Sequence, residues 1–207
     1  WYHTPQGAWM ALQEENLLLR MLNPAPGTTL LDVGCGTGFF SRRLAASGLR
    51  VVGMDSDQGA LDFAVRQGHA VRYVAGDARA MPFPDRIFDN AMAVTSLCFV
   101  TPPAVALTEM LRVTRQTVIL GLLNRKSLLY LRKKGSSGYT GARWDEFSSV
   151  QAWMEELSTA QRSSWRVVST ATAIHWASGI PPVRWLEGLC PDSWPFGGFL
   201  AIKLVRT

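Results

Sequence analysis

The clearest chemical signal in this 207-residue chain comes from three glycines and three aspartates. Gly34, Gly36 and Gly38 stand at alternate positions in LLDVGCGTGFF, Leu30 to Phe40. An apolar run leads into them and the first turn of a helix follows. Glycine serves where the chain turns tightly or where backbone must come close to a ligand. Backbone N–H groups gathered between a strand and a helix N-terminus suit a bound cofactor. Asp32 precedes the loop, and Asp77 lies further on in VAGDARAMPFP. Asp55 falls about twenty residues after the loop opens, where an acid accepts hydrogen bonds from ribose hydroxyls. Any one of these acids alone could equally be a helix cap or a solvated loop residue. Together, in step with the glycine loop, they describe a ligand site. A dinucleotide fingerprint is G-x-G-x-x-G, and its third glycine would fall on Phe39. The observed G-x-G-x-G therefore points away from a nicotinamide dinucleotide.

These residues need a scaffold that brings strand ends together, and the hydrophobic pattern supplies one. Helices are expected over 8–22, 39–47, 57–67, 102–115 and 145–160. Glu14 and Glu15 mark the wet side of the first helix, and the Pro5-Gln6-Gly7 run separates it from the aromatic start of the chain. Strands are expected over 28–33, 50–54, 71–75, 87–94, 116–122, 165–170 and 199–205. Asp57 caps the third helix. A short helix is expected around 184–189. Strands alternating with helices of this length indicate an α/β protein with parallel strands and right-handed crossovers. In such a sheet ligands sit at the carboxyl ends of the strands, where Asp55 and Asp77 fall.

The glycine loop with its preceding Asp32, the two later acids and DRIFDNAMAV from Asp85 to Val94 resemble the class I S-adenosylmethionine-dependent methyltransferases, of the type 11, small-molecule kind. The resemblance covers roughly residues 28–122. It implies a Rossmann-like, doubly wound, mostly parallel seven-stranded sheet with a C-terminal antiparallel strand. It also implies one domain over 1–207: an N-terminal helical cap at 1–27, a cofactor-binding core at 28–122, and an acceptor-side, sheet-closing part at 123–207. S-adenosylmethionine is the implied cofactor and S-adenosylhomocysteine its product. The implied binding set is Asp32, Gly34, Cys35, Gly36, Gly38, Asp55, Ser56, Asp77, Ala78, Val94 and Thr95. In it Asp55 grips both ribose hydroxyls, Asp77 holds the adenine amino group beside the Ala78 backbone, and Asp32 orders the glycine loop near the methionine end. The usual P-G-G turn before strand five is absent: Arg115-Gln116-Thr117 runs straight in. Thr95-Ser96-Leu97-Cys98 is not the [DN]-P-P-[FY] motif of enzymes that methylate exocyclic base amines.

Methyl transfer needs alignment and exclusion of water more than it needs side-chain chemistry. A base is required only when the acceptor must lose a proton. The candidates are His3 and His175, with Tyr2 and Tyr139 as pocket aromatics; His69 follows a helix end and reads as solvated. Cys35 reads as a small loop residue rather than a nucleophile. No metal site is expected, because the three cysteines, Cys35, Cys98 and Cys190, form no C-x-x-C pair. Scattered cysteines in odd number suit a reducing cytoplasm. No run reaches the length of a spanning helix, and no secretory signal is visible.

The net charge of +5 is concentrated in one segment. Residues 110–144 carry 8 basic and no acidic side chains, whereas 1–109 carry 8 basic and 10 acidic and 145–207 carry 5 and 6. One reading makes 125–141, with Arg132, Lys133, Lys134 and glycines 135, 138 and 141, a mobile lid favouring an anionic small-molecule acceptor. A second makes the block an RNA-binding face of an RNA methyltransferase. Against it, the block lacks an added RNA-binding domain and has few stacking aromatics beyond Tyr130 and Tyr139. A third is a protein that binds the cofactor without turnover. The oligomeric state, monomer or dimer, is open at this level.

Overall fold

The computed structural model describes residues 4–68, 70–135, 139–176 and 185–207. Seven strands form one sheet: β1 (Thr29–Val33), β2 (Arg50–Asp55), β3 (Arg72–Ala75), β4 (Phe88–Val94), β5 (Thr114–Leu123), β6 (Trp165–Ala173) and β7 (Phe199–Arg206). Their spatial order is β3-β2-β1-β4-β5-β7-β6. The first five run parallel, and β7 is antiparallel between β5 and β6. This is the doubly wound, mostly parallel architecture expected from the strand–helix alternation. Strand order reverses between β1 and β4, which opens a crevice at their carboxyl ends.

The helices are α1 (Pro5–Leu22), α2 (Phe39–Ala46), α3 (Gln58–Arg66), α4 (Pro103–Val113), α5 (Leu128–Lys133), α6 (Phe147–Glu155) and α7 (Thr159–Ser164). Leu30, Leu31, Val33, Val118, Leu120 and Leu122 are fully buried, as strands covered on both faces must be. One apolar layer sets the sheet against α4 and α6; the other sets it against α1, α2 and Leu129 of α5.

Several local expectations change. α1 begins at Pro5 rather than residue 8, because the Thr4 hydroxyl accepts the Gly7 N–H and proline has no N–H to waste in a first turn. The expected wet side of α1 is not wet: Glu15 is buried and pairs with Arg43, and Glu14 is half-buried. The 145–160 helix is two helices, α6 and α7, with Asp145 buried ahead of them against Arg143. The basic 125–141 stretch contains a packed helix, α5, capped by the Ser127 hydroxyl and seated by Leu129. Residues 136–138 of that stretch lie outside the described residues, as do His69 and the first part of the expected 184–189 helix.

Candidate functional site

β1 ends at Val33 and the chain must turn into α2 within five residues. Gly34, Gly36 and Gly38 all take positive φ (72°, 51° and 70°), which a side chain disfavours. The three glycines then serve different ends. A Cβ on Gly34 would lie 2.3 Å from the Ser96 Cβ, and one on Gly38 would lie 2.2 Å from the Tyr73 hydroxyl. At Gly36 nothing lies within 4 Å. Gly34 and Gly38 are therefore packing glycines, while Gly36 faces open space. The N–H groups of Gly34 and Cys35 both donate to the Met54 carbonyl, at 2.7 and 3.0 Å, which ties the loop to the end of β2.

A cleft of about 680 Å³ opens beside this loop, a size that suits a nucleoside-bearing ligand. Asp32, Gly34, Cys35, Gly36, Asp55, Ser56, Asp77, Ala78, Val94 and Thr95 all line it. Gly38, expected among them, does not; the Tyr73 ring takes up the space beside it. Sequence reasoning missed Phe40, Arg79 and the wall of Ser96, Leu97, Phe99, Val100 and Thr101, which also line the cleft. Arg79, two residues beyond Asp77 in GDAR, was legible as its partner. The wall was not, because its place depends on long-range bonds. Ser96 donates to the Val33 carbonyl at 2.6 Å, and Arg143 donates to the carbonyls of Leu97 and Val100 at 2.9 and 3.0 Å.

The three acids differ in state. Asp55 accepts the Gly36 N–H at 2.7 Å through Oδ2 and the Asp57 N–H at 2.9 Å through Oδ1. Asp55 thus takes the loop-ordering role expected of Asp32. Asp32 is buried and instead accepts the Ser41 hydroxyl of α2 at 2.5 Å. Burial pushes its carboxyl up to about 7; the nearby Asp55 charge adds to this and the Ser41 bond opposes it. Asp77 is half-exposed, and the Arg79 guanidinium engages both its oxygens, which holds its carboxyl down at about 2. Arg79 also donates to the Thr101 carbonyl at 3.0 Å, bridging two sides of the rim.

Burial raises the Cys35 thiol well above the usual range, with Asp32 and Asp55 contributing, so it is no nucleophile at neutral pH. His175, expected as a base, is buried with both ring nitrogens engaged: Nδ1 lies 3.1 Å from Glu187 and Nε2 lies 3.1 Å from Thr172. It faces a closed polar network, not an acceptor. Tyr139 packs beside Trp144 in the apolar layer with Trp9, Phe40, Val94 and Cys98, and burial raises its hydroxyl, helped by the charge of Glu14. Glu14, which the sequence pattern placed in water, is itself pushed up to about 8 by burial. His3 and Tyr2 lie outside the described residues.

Four of the eight side chains of the expected basic block are engaged in internal ion pairs, while Arg125, Arg132, Lys133 and Lys134 are exposed. Arg112 pairs with Glu109 and Asp85, Arg115 with Asp89, Arg143 with Asp145, and Lys126 with Glu146.

The family model described as "Methyltransferase domain" matches residues 31–121, from β1 into β5. A demethylmenaquinone methyltransferase of Renibacterium salmoninarum is 40% identical over 99 residues, which is 48% of this chain and 42% of that protein. The chain thus spans less than half the length of that relative. An uncharacterized protein of Mycobacterium tuberculosis is 31% identical over 99% of this chain and 70% of its own length. A crystal structure of an S-adenosylmethionine-dependent methyltransferase from Thermotoga maritima superposes with a TM-score of 0.75 at 22% identity, covering 100% of this chain and 93% of that one. The cofactor implied by this likeness is S-adenosylmethionine, and the cleft fits it: Gly36 leaves room for close approach, and carboxylates stand at two strand ends and beneath the loop. With the glycine loop, the acids and the sheet order all in agreement, this chain belongs to the class I S-adenosylmethionine-dependent methyltransferases.

Proposed function

We propose that the protein transfers the methyl group of S-adenosylmethionine to a small-molecule acceptor by in-line displacement. The observation that carries this reading is the convergence of Asp32, Gly36, Asp55 and Asp77, from four separate positions in the chain, on one cleft at the point where strand order reverses. When bound, the cofactor supplies a methyl group on a sulfonium whose leaving group departs as a neutral thioether.

The chain's own residues bind and align. Asp55 has lone pairs left after its bonds to Gly36 and Asp57 and is suited to the ribose hydroxyls. Asp77 is suited to the adenine amino group, sharing its oxygens with Arg79. Asp32 offers a buried carboxyl on the loop side, where a cationic group gains most from it. The acceptor side is read as the region under the segment that carries Tyr139, which packs in one apolar layer with the cleft residues Phe40 and Val94.

The test is transfer of label from methyl-labelled S-adenosylmethionine across pools of small molecules. Demethylated quinones belong in the first set, given the R. salmoninarum relative. Labelled product from a small-molecule pool supports the reading. Label in RNA alone, or tight S-adenosylhomocysteine binding with no transfer to any pool, would replace it with one of the other two readings. The ion pairs of Arg112, Arg115, Lys126 and Arg143 take half of the basic block away from the RNA reading.

A further inference from the structure

We propose that the rim made by α5, Trp176 and residues 185–196 docks on an anionic lipid surface. The segments concerned are far apart in sequence and are tied into one face. The Asn124 amide, just before α5, donates to the carbonyls of Pro195 and Gly197 at 2.8 and 2.7 Å. Leu129 of α5 packs so closely on Gly198 that a Cβ there would lie 2.7 Å from it. The Glu187 carboxylate accepts the backbone N–H groups of Ile174, His175 and Trp176. The Trp194 ring meets the His175 ring edge-on at 6.2 Å.

What this face presents to solvent is apolar and aromatic. Leu131 is 76% exposed, Trp185 69%, Leu189 63%, Phe196 56% and Trp194 50%. Single exposed apolar residues are ordinary, but five large ones on two segments bonded to each other suit an interaction site. Beside them stand Arg125, Arg132, Lys133 and Lys134, all exposed. The acids of the same segments are occupied: Glu187 by His175 and the backbone, Asp192 by Arg20. The rim therefore carries net positive charge next to tryptophan and leucine. That combination fits an interface of anionic headgroups over acyl chains, where tryptophan sits at the headgroup level and lysine and arginine gain from the surface potential. A second copy of the chain fits less well, because a two-fold contact would bring the four cations against their own mates. A nucleic acid fits less well too, because it would stack on Trp185, Trp194 and Phe196 but leave Leu131 and Leu189, both largely exposed, in water, whereas acyl chains cover them.

Topology puts the rim where it would matter. β5 and β6 end, and β7 begins, at the edge of the sheet that also carries the glycine loop. Among the described residues no helix is long and apolar enough to cross a membrane, so contact would be made from the surface. The proposal does not depend on methyl transfer. It predicts only where lipid binds, although a docked rim would favour an acceptor taken from the lipid–water boundary.

Co-sedimentation with vesicles tests it, using phosphatidylglycerol–phosphatidylcholine vesicles against pure phosphatidylcholine at low and high salt. Binding is expected with the anionic vesicles only, fading as salt screens the cations, with a blue shift of tryptophan emission. Two variants should each weaken partitioning about ten-fold or more: R132Q/K133Q/K134Q, which removes charge, and W185S/L189S, which removes apolar contact. Unchanged S-adenosylhomocysteine affinity in both shows that they are folded. No sedimentation with anionic vesicles, or equal sedimentation of the variants, would overturn the proposal. So would a concentration-dependent dimer abolished by the same substitutions, or tighter binding to an oligonucleotide than to vesicles.

Discussion

The Gly36 N–H and the Asp55 carboxylate, 19 residues apart in the chain, are joined by a 2.7 Å hydrogen bond that closes the glycine loop onto the end of β2. The acid assigned to the ribose hydroxyls thus also shapes the loop that receives the rest of the ligand. Asp55→Ala should lower S-adenosylhomocysteine affinity about ten-fold or more by calorimetric titration, since bonds to a charged acceptor are worth roughly 1.5–3 kcal/mol. It should also lower the melting temperature. Asp55→Asn keeps an oxygen for Gly36, so it should restore most of the stability while affinity stays reduced. Unchanged affinity in both variants would remove Asp55 from the ligand site.

Gly34 and Gly36 should respond differently to a side chain. Gly34→Ala drives a Cβ into Ser96 at positive φ, and unfolding in urea should show a loss of about 2–3 kcal/mol. Gly36→Val meets no protein atom near its Cβ position, so the fold should survive at the cost of local strain. Its cofactor binding should be abolished, because the Cβ points into space the ligand needs. Retained binding in Gly36→Val would mean that the ligand does not approach this part of the loop.

Asp32 makes cofactor binding a proton-linked event. Its carboxyl sits at about 7 in the folded protein, against about 3.9 in an unfolded chain. A bound cation beside it favours the carboxylate, so S-adenosylmethionine should expel a proton below pH 7 and bind more tightly as pH rises from about 5 to 7. Calorimetry in buffers of different ionisation enthalpy reads this release, and Asp32→Asn should abolish it. The stability sign is opposite. Between about pH 4 and 7 the native state holds a proton that the unfolded chain has lost, so this group's contribution to stability falls as pH rises through that range. Asp32→Asn should flatten the slope of urea stability against pH.

Arg143 braces the cleft wall from a position beyond residues 31–121, the range the family model matches. It bonds Asp145, which is buried, and the carbonyls of Leu97 and Val100, and it stacks on Trp153 with the guanidinium carbon 5.0 Å from the ring centre. Arg143→Leu strands the Asp145 charge and should cost about 3 kcal/mol in urea unfolding. S-adenosylhomocysteine affinity should fall as well, because Leu97 and Val100 line the cleft. A variant with normal stability and affinity would show that the wall holds without this brace.

Much of the site was determined by sequence because its information is local. A G-x-G-x-G turn between an apolar strand and a helix needs its glycines whatever surrounds it, and acids just past strand ends reach the carboxyl edge of any parallel sheet. The order of elements likewise follows from hydrophobic period and breakers. Tertiary structure decided the rest, because burial and partners are set by segments distant in the chain. Glu14 and Glu15 look like a wet helix face until α1 is laid across β5, β6 and β7 and Arg43 meets Glu15. The whole basic block looks like a polyanion site until Glu109, Asp89, Glu146 and Asp145 arrive to pair with Arg112, Arg115, Lys126 and Arg143, which leaves only its other half exposed. His175 looks free until Glu187 and Thr172 close on both its nitrogens. In each case the residue type was readable, but its charge state and availability were not, since these depend on desolvation and on which opposite charge the fold brings within hydrogen-bonding distance.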